Sequence, residues 1–403
     1  MSSAREAALE RPSKLPLGAR LLVDHLSALR WGSLEGQLPG GQSFVIRGPE
    51  PGLCGVIHIH APWRLLARGL TRGAVGFAES YMAGEWSSPD LATLLTLLCR
   101  NDRVMEQQNA PGKLGRLALA LHHRRNRNTR RGSRRNIAAH YDLGNDFYRM
   151  WLDDTMTYSA AVHADDDEPL EQAQVRKYRA LLELLDVRPG DHILEIGCGW
   201  GGFALEAARA GARVTALTLS GEQLAWARQR AAQENLSDAV EFRLQDYRDV
   251  RGSFDHIVSI EMLEAVGEDY WPIYFDTLAA RLRPGGRIAL HGITIAEDSF
   301  ETYRANPDFI QRYVFPGGML PTRSHLLEQA RRVGLRVQHN DGLGQHYART
   351  LAIWHQHFCA QAEIVRERFD ERFLRMWRYY LAYCEAGFRE RRIDLQRLVL
   401  TRP

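Results

Sequence analysis

An α/β protein, built on a doubly wound parallel sheet and preceded by a smaller α+β unit, is what this sequence predicts, on three observations. The first is residues 193–203, where the apolar run Ile193-Leu-Glu-Ile196 enters the glycine-dense turn Gly197-x-Gly199-x-Gly201-Gly202 and a helical pattern follows over 203–210. A buried parallel strand needs a continuous apolar run, and glycines let the backbone turn sharply and approach a ligand. The second is an alternation of helical and strand-like patterns from about residue 172, with strands expected at 192–196, 213–217, 240–244, 256–260 and 287–295. The third is length: 403 residues exceed an ordinary single domain, so two are expected.

Residues 17–100 read as the small α+β unit. Turn signals at Pro39-Gly40-Gly41, Pro49 and Pro51-Gly52 separate strand-like runs at 43–47 and 55–60, and in the second run Ile57 and Ile59 alternate with Val56, His58 and His60. Helical patterns at 63–70 and 91–98 complete it. The expected boundaries are a first domain at 1–105, a basic linker at 106–137 and a second domain at 138–403. Within the second domain, Leu282-Arg-Pro-Gly-Gly286 stops a helix ahead of the fifth strand. Residues 349–398 read as mostly helical, with aromatics at Trp354, Phe358, Phe369, Phe373, Trp377, Tyr380 and Phe388.

Hydrophobic residues at 45% and charged residues at 25% describe an ordinary globular chain with ample core. No apolar run approaches the ~20 residues of a membrane span. The first residues, Met1-Ser-Ser-Ala-Arg-Glu6, lack the apolar core of a signal peptide. Cysteines 54, 99, 198, 359 and 384 are scattered and fit neither a zinc site nor a disulfide framework, so reduced thiols in a cytoplasmic protein are expected.

The net charge is only +3, but it is unevenly placed. Between Gln107 and Tyr141 there is no acidic residue, while Lys113, Arg116, Arg124, Arg125, Arg127, Arg130, Arg131, Arg134 and Arg135 are basic. An anionic membrane surface, nucleic acid and a solvated linker are the three readings. The leucine-rich stretch 113–123 ahead of the arginines has the apolar-plus-cationic character of an interfacial anchor. RNA is disfavoured, because no aromatic residue interleaves with the cations.

Glu195, just before the glycine turn, decides between two cofactor classes. A carboxylate there can face a cation but repels a pyrophosphate. S-adenosylmethionine (SAM) carries a sulfonium and an ammonium, so a SAM methyltransferase is expected over a dehydrogenase. The second strand ends in Leu217-Thr218-Leu219-Ser220-Gly-Glu-Gln223 rather than in the acidic residue that holds ribose in generic methyltransferases; Thr218 and Gln223 offer donors and acceptors in its place.

That departure, with six further segments and the glycine loop with its Trp200, resembles the cyclopropane fatty acid synthase family, which includes the mycolic acid cyclopropane synthases and fatty-acid C-methyltransferases. The segments are His140-Tyr-Asp-Leu-Gly-Asn-Asp-Phe147, Thr155-Met-Thr-Tyr-Ser159, Leu244-Gln-Asp-Tyr-Arg-Asp249, Phe309-Ile-Gln-Arg-Tyr-Val-Phe-Pro-Gly-Gly318, His346-Tyr-Ala-Arg-Thr-Leu351 and the tail 379–389. The resemblance covers nearly the whole chain. It implies a Rossmann-like class I SAM methyltransferase domain with a helical acyl-binding insertion, and a lipid-associated N-terminal domain. The implied reaction is methyl transfer from SAM to the cis double bond of an unsaturated phospholipid acyl chain, giving a cyclopropane; a methyl-branched or methylene product is the alternative. A non-catalytic lipid-binding protein is the reading from another class.

The resemblance also assigns residues. Cofactor contacts fall on Tyr158, Ser159, Glu195, Gly197, Gly199, Gly201, Thr218, Gln223, Asp246, Tyr247 and Ile260, with Asp246 at the adenine; helix capping is the plainer reading of Asp246. A bicarbonate ion as proton acceptor would be held by Glu264, His291, Tyr347 and the backbone N–H of Ala160. Phe309, Tyr313 and Phe315 are candidates for an acyl channel or for core packing. Three positions depart from similar synthases: Ala160 stands for Cys, Ala265 for His, and Glu261 for Gly. Glu261 and Glu264 are expected one turn apart on a helix, where two carboxylates can share a proton. The expected partners are an anionic membrane surface at its cytoplasmic face and an unsaturated acyl chain, with no nucleic acid, and a homodimer is left open.

Overall fold

The computed structural model describes residues 8–10, 20–21, 23–24, 29–106 and 143–403. The arginine block, the leucine-rich stretch before it and the first residues of the 140–147 motif lie outside the described residues. Two compact units are formed, one from residues 1–121, 305–309 and 358–392 and the other from 122–304, 310–357 and 393–403. Helices at 358–392, expected with the second domain, thus fall in the first unit.

In the first unit the strands β1 (Ala8–Glu10), β2 (Trp31–Gln37), β3 (Ser43–Arg47), β4 (Glu50–Ile59) and β5 (Trp86–Ser87) form a sheet in the order β1-β3-β2-β4-β5. The period-2 pattern read in the sequence places Ile57 and Ile59 in the core, both almost fully buried. The helix Glu371–Arg389 belongs here because Leu374, Trp377, Tyr380, Leu381 and Phe388 bury one face. Its Tyr379 ring meets Tyr81 at 5.6 Å, and its Arg375 guanidinium donates to the Tyr81 carbonyl at 3.2 Å. Phe309, a candidate for the acyl channel, meets Tyr379 edge-on in this unit, with ring centres 4.9 Å apart.

The second unit holds β6 (His192–Ile196), β7 (Arg213–Thr218), β8 (Val240–Leu244), β9 (Phe254–Ile260), β10 (Leu282–Ile295), β11 (Arg336–Gly342) and β12 (Ile393–Thr401). Their order is β11-β12-β10-β9-β6-β7-β8. All five expected strands are present. β6 to β10 are parallel, and β12 runs antiparallel between β10 and β11. The expectation that 349–398 is mostly helical therefore fails at its end. Leu395, Leu398, Val399 and Leu400 are buried between two partner strands, and that pairing overrides local pattern.

Chain order reverses between β6 and β9, and ligands of open α/β sheets bind in the crevice beyond the carboxyl ends of the strands at such a point. Two apolar clusters flank the sheet, one around Phe254, Tyr274, Phe275 and Leu326, the other around Tyr178, Leu181, Phe203 and Phe242. Both faces being covered is why β6, β7 and β9 read as continuous apolar runs.

Candidate active site

The glycine turn closes β6 and opens the helix Gly202–Arg209. Gly197, Gly199 and Gly201 have φ of 85°, 52° and 87°, a region that L side chains rarely enter. A side chain at Gly197 would meet Met262 at 2.9 Å, whereas at Gly199 it would meet nothing within 4 Å. The amides of Gly197 and Cys198 donate to the Leu217 carbonyl at 3.0 and 2.8 Å, tying the turn to the end of β7. Trp200 is held to the helix Asn145–Arg149 through an N–H donated to Asn145 at 2.7 Å, with its ring 5.0 Å from Tyr148.

Glu195 lies beneath this turn, 2% exposed, and its Oε2 has no hydrogen-bond partner. Burial pushes its carboxyl up to about 8, opposed by a backbone N–H from Ala204 and by the charge of Lys177. A buried, half-satisfied carboxyl at the switch point calls for a cationic partner. At the end of β7, the Thr218 hydroxyl donates to Gln223 Oε1 at 3.0 Å, and Ser220 caps the helix Gly221–Gln233. These three side chains are buried together where a ribose hydroxyl would need donors and acceptors.

Asp246, read as either an adenine contact or a cap, does cap the turn Tyr247–Asp249. It also pairs with Arg248 through both oxygens, at 2.8 and 2.6 Å. Burial pushes the Tyr247 hydroxyl up to about 12, and Ile260 ends β9 in register with His291 on β10.

Beyond Ile260 the expected helix does not form. Glu261 adopts φ 52°, left-handed, and only Leu263–Ala265 makes a short 3-10 turn. The Glu261 amide donates to the His291 carbonyl at 2.9 Å, continuing the pairing with β10 by one more bond. That bond fixes the carboxylate where a helix would not have put it. Glu261 Oε1 accepts the Ala160 N–H at 2.8 Å, and its Oε2 accepts the Tyr347 hydroxyl at 2.5 Å.

Glu264 accepts the Ile293 N–H at 2.5 Å on one oxygen, and its Oε2 has no partner. Burial and the nearby Glu261 charge push its carboxyl up to about 8. His291 is 2% exposed with neither ring nitrogen bonded, and burial lowers it to about 3, so the imidazole is neutral.

Four of the sequence-predicted groups therefore meet around a residue to which sequence reasoning assigned no role. Ala160 and Tyr347 converge on the Glu261 carboxylate, Glu264 feels its charge, and His291 is tied to it through the backbone. Bicarbonate does not fit this donor set. Two of the four groups expected to hold it, the Ala160 N–H and the Tyr347 hydroxyl, are already taken by the Glu261 carboxylate. A second anion beside two buried carboxyl groups would add to a buried negative charge that Lys177 already offsets.

Lys177 is the second residue that sequence reasoning missed. It is fully buried on the helix Leu170–Leu185, with Nζ donating to Ser159 Oγ at 2.5 Å and Gln174 Oε1 at 2.8 Å. Burial lowers it to about 7, opposed by the charges of Glu261, Asp153 and Glu195. A signal existed, because Lys177 shares the helical stripe of Ala173 and Leu181 and so had to point inward. Next to Ser159, the ring of Tyr158 joins an aromatic wall in which it lies 5.6 Å from Tyr148, 5.4 Å from Trp151 and 5.5 Å from Trp354. Tyr347 abuts the same wall 6.2 Å from Trp354.

Comparison with known proteins agrees with this geometry. Residues 128–398 match the mycolic acid cyclopropane synthetase family. The chain is 41% identical over 355 residues to the tuberculostearic acid methyltransferase UfaA1 of Mycobacterium tuberculosis, covering 86% of this chain and 83% of that protein. It is 33% identical over 374 residues to the cyclopropane-fatty-acyl-phospholipid synthase of Escherichia coli K12, covering 92% and 94%. The crystal structure of the mycolic acid cyclopropane synthase CmaA1 with SAH and CTAB superposes with a TM-score of 0.63 at 30% identity, covering 66% of this chain and 97% of that one. The seven-stranded sheet is that of a class I SAM methyltransferase. The chain thus belongs to the mycolic acid cyclopropane synthetase family and is a SAM-dependent enzyme of fatty-acid methyl transfer or cyclopropanation.

Proposed function

We propose that the chain transfers the methyl group of SAM to the cis double bond of an unsaturated acyl chain in a bilayer phospholipid. The observation that carries this reading is the set of buried, incompletely bonded groups at the carboxyl ends of β6, β9 and β10: Glu195, Glu264 and His291, with Tyr347 and the aromatic wall alongside. SAM, when bound, supplies an electrophilic methyl carbon. Glu195 faces its cationic amino-acid part, Gly197, Gly199 and Gly201 let the backbone approach, and Thr218 and Gln223 take the ribose. Asp246, Tyr247 and Ile260 would hold the adenine, and Tyr158 and Ser159 would complete the cofactor contacts.

The π electrons of the acyl double bond would form the new C–C bond to that methyl carbon, whose bond to sulfur would break to leave a neutral thioether. Positive charge then rests on the chain, and a proton must depart. Holding the double bond against the methyl group is chiefly a proximity effect. The aromatic wall excludes water, which would otherwise capture the cation. Glu264, carrying its proton at neutral pH, and neutral His291 can both donate hydrogen bonds into the site.

Proton loss from the new methyl with ring closure gives the cyclopropane. Two observations favour the methyl-branched or methylene product instead. The donors that the ring-forming arrangement gives to bicarbonate are held by Glu261, and the 41%-identical relative is named a tuberculostearic acid methyltransferase. Incubation with methyl-deuterated SAM and cis-monounsaturated phospholipid vesicles, followed by mass spectrometry of the fatty acids, tests both levels. Three retained deuteriums mean an intact methyl branch, and two mean a ring or a methylene group, which fragmentation separates. No label in lipid sinks the assignment.

Docking at the cytoplasmic face of an anionic membrane belongs to the same reading. Among the described residues no helix is long and apolar enough to cross a membrane. On the helix Pro62–Met82, however, Trp63 and Leu70 are 57% and 62% exposed, and Arg64 and Arg72 are exposed beside them. Apolar side chains next to cations suit a lipid interface. The double substitution Trp63→Ala and Leu70→Ala is expected to weaken sedimentation with anionic vesicles about tenfold, and added salt should weaken that of the wild type. Vesicle binding indifferent to both would remove the membrane from the proposal.

A further inference from the structure

We infer that the carboxylate of Glu261 is the proton acceptor of the reaction, a base built into the chain in the place where a free anion would otherwise be bound. The inference rests on the methyl-transfer reading above and adds the residue that completes it.

Three observations converge on Glu261. Both its oxygens are engaged by donors from distant parts of the chain, the Ala160 amide at 2.8 Å and the Tyr347 hydroxyl at 2.5 Å. These donors fix the orientation of the carboxylate while leaving each oxygen a further lone pair. Its backbone is left-handed at φ 52°, a strained conformation that residues other than glycine rarely adopt. Strain of this kind persists where the surroundings over-determine it, and here the Glu261 amide is bonded to His291 and the side chain to Ala160 and Tyr347. Lastly, the fully buried Lys177 supplies, among the described residues, the cation whose charge acts on this carboxylate. Burial raises the Glu261 carboxyl, which strengthens it as a base, while the Lys177 charge and the hydrogen bonds from Tyr347 and Ala160 oppose that rise.

The step balances without any co-reactant. After methyl transfer the acyl chain is a cation; a C–H bond next to the charge, or on the new methyl, breaks. Its electron pair becomes the new π or ring bond, and the proton forms an O–H bond on Glu261. That proton is released to solvent once the product leaves. Tyr347 acts as a positioning residue, holding the acceptor in place through its hydroxyl.

The test compares the wild type, Glu261→Gly and Glu261→Gln in buffer stripped of carbon dioxide, with and without added bicarbonate. Glycine suits the left-handed backbone, so Glu261→Gly should fold with no loss in melting temperature. The wild type should transfer methyl label at the same rate in both buffers. Glu261→Gly should be about a hundredfold slower without bicarbonate and regain much of that rate with it, whereas Glu261→Gln should stay slow in both. SAM affinity should stay within about twofold throughout, since no proton transfer is involved in binding. Carbon-13 bicarbonate observed by NMR should bind Glu261→Gly and not the wild type. A wild-type rate that rises with bicarbonate, an unimpaired Glu261→Gly in stripped buffer, or bicarbonate bound equally by wild type and Glu261→Gly would each overturn the inference. Failure of the wild type to label any lipid would overturn the methyl-transfer reading instead, and the NMR comparison would still decide whether Glu261 fills the anion's place.

Discussion

Glu195→Gln is expected to weaken SAM binding about a hundredfold, the scale of one charge-assisted hydrogen bond removed from a buried site. The mechanism gives the effect a pH signature. In the free protein burial holds the Glu195 carboxyl protonated up to about pH 8. A bound cation favours the ionised form, so below that pH binding must release the proton. Wild-type affinity should therefore rise about tenfold per pH unit as pH increases toward 8 and then level off. An α-amino group titrates at about 7.7–8.0, so the ligand's own ammonium changes charge nearby, and the diagnostic is the difference between wild type and variant. Calorimetric titration in two buffers of unlike ionisation enthalpy counts the released proton. Equal affinity and equal proton release in Glu195→Gln would mean that this carboxyl does not meet the cofactor.

Glu264→Gln should leave SAM affinity within about twofold and lower turnover by about two to three orders of magnitude, the usual scale for a group that handles a proton. The same variant has a readout independent of substrate. The Glu264 carboxyl sits at about 8 in the folded chain against 4.5 for an ordinary carboxyl. Between those values the unfolded chain has released this proton and the folded chain has kept it. Its contribution to stability is thus fully present below about pH 4.5 and is lost as pH rises toward 8, at about 1.4 kcal/mol per pH unit. Glutamine cannot ionise, and its carbonyl can still accept the Ile293 N–H. Thermal unfolding of Glu264→Gln should therefore fall less steeply with pH than that of the wild type, with the variant the more stable at pH 7–8. Unchanged turnover would show that Glu264 is not in the catalytic site; an unchanged pH slope would show that its proton is not held by the fold.

These two carboxyls differ in how they could be found. Glu195 was legible because its neighbours in sequence are its neighbours in space: a strand, a glycine turn and the next helix form one local unit. Glu264, His291 and Tyr347 were found by segment resemblance, which marks the positions without saying what they touch. Glu261 was misplaced. Helical spacing put it one turn from Glu264, yet one added ladder bond to His291 and a left-handed φ carry it out of the helix. Lys177 is legible in the sequence as a charge on an apolar helical stripe.

The sequence by itself determined the parallel sheet, its five core strands, the glycine turn and the cofactor class, because buried strands and tight turns impose composition over a few consecutive residues. Tertiary structure alone decided three things. Ile393–Thr401 became a strand because β10 and β11 offered it partners on both sides. The helices at 358–392 joined the first unit because their apolar face is buried there. Glu261 acquired its place because Ala160 lies 101 residues before it and Tyr347 lies 86 after it. Hydrogen bonds across such separations leave no local pattern in the chain. They exist only once the sheet has brought those segments together.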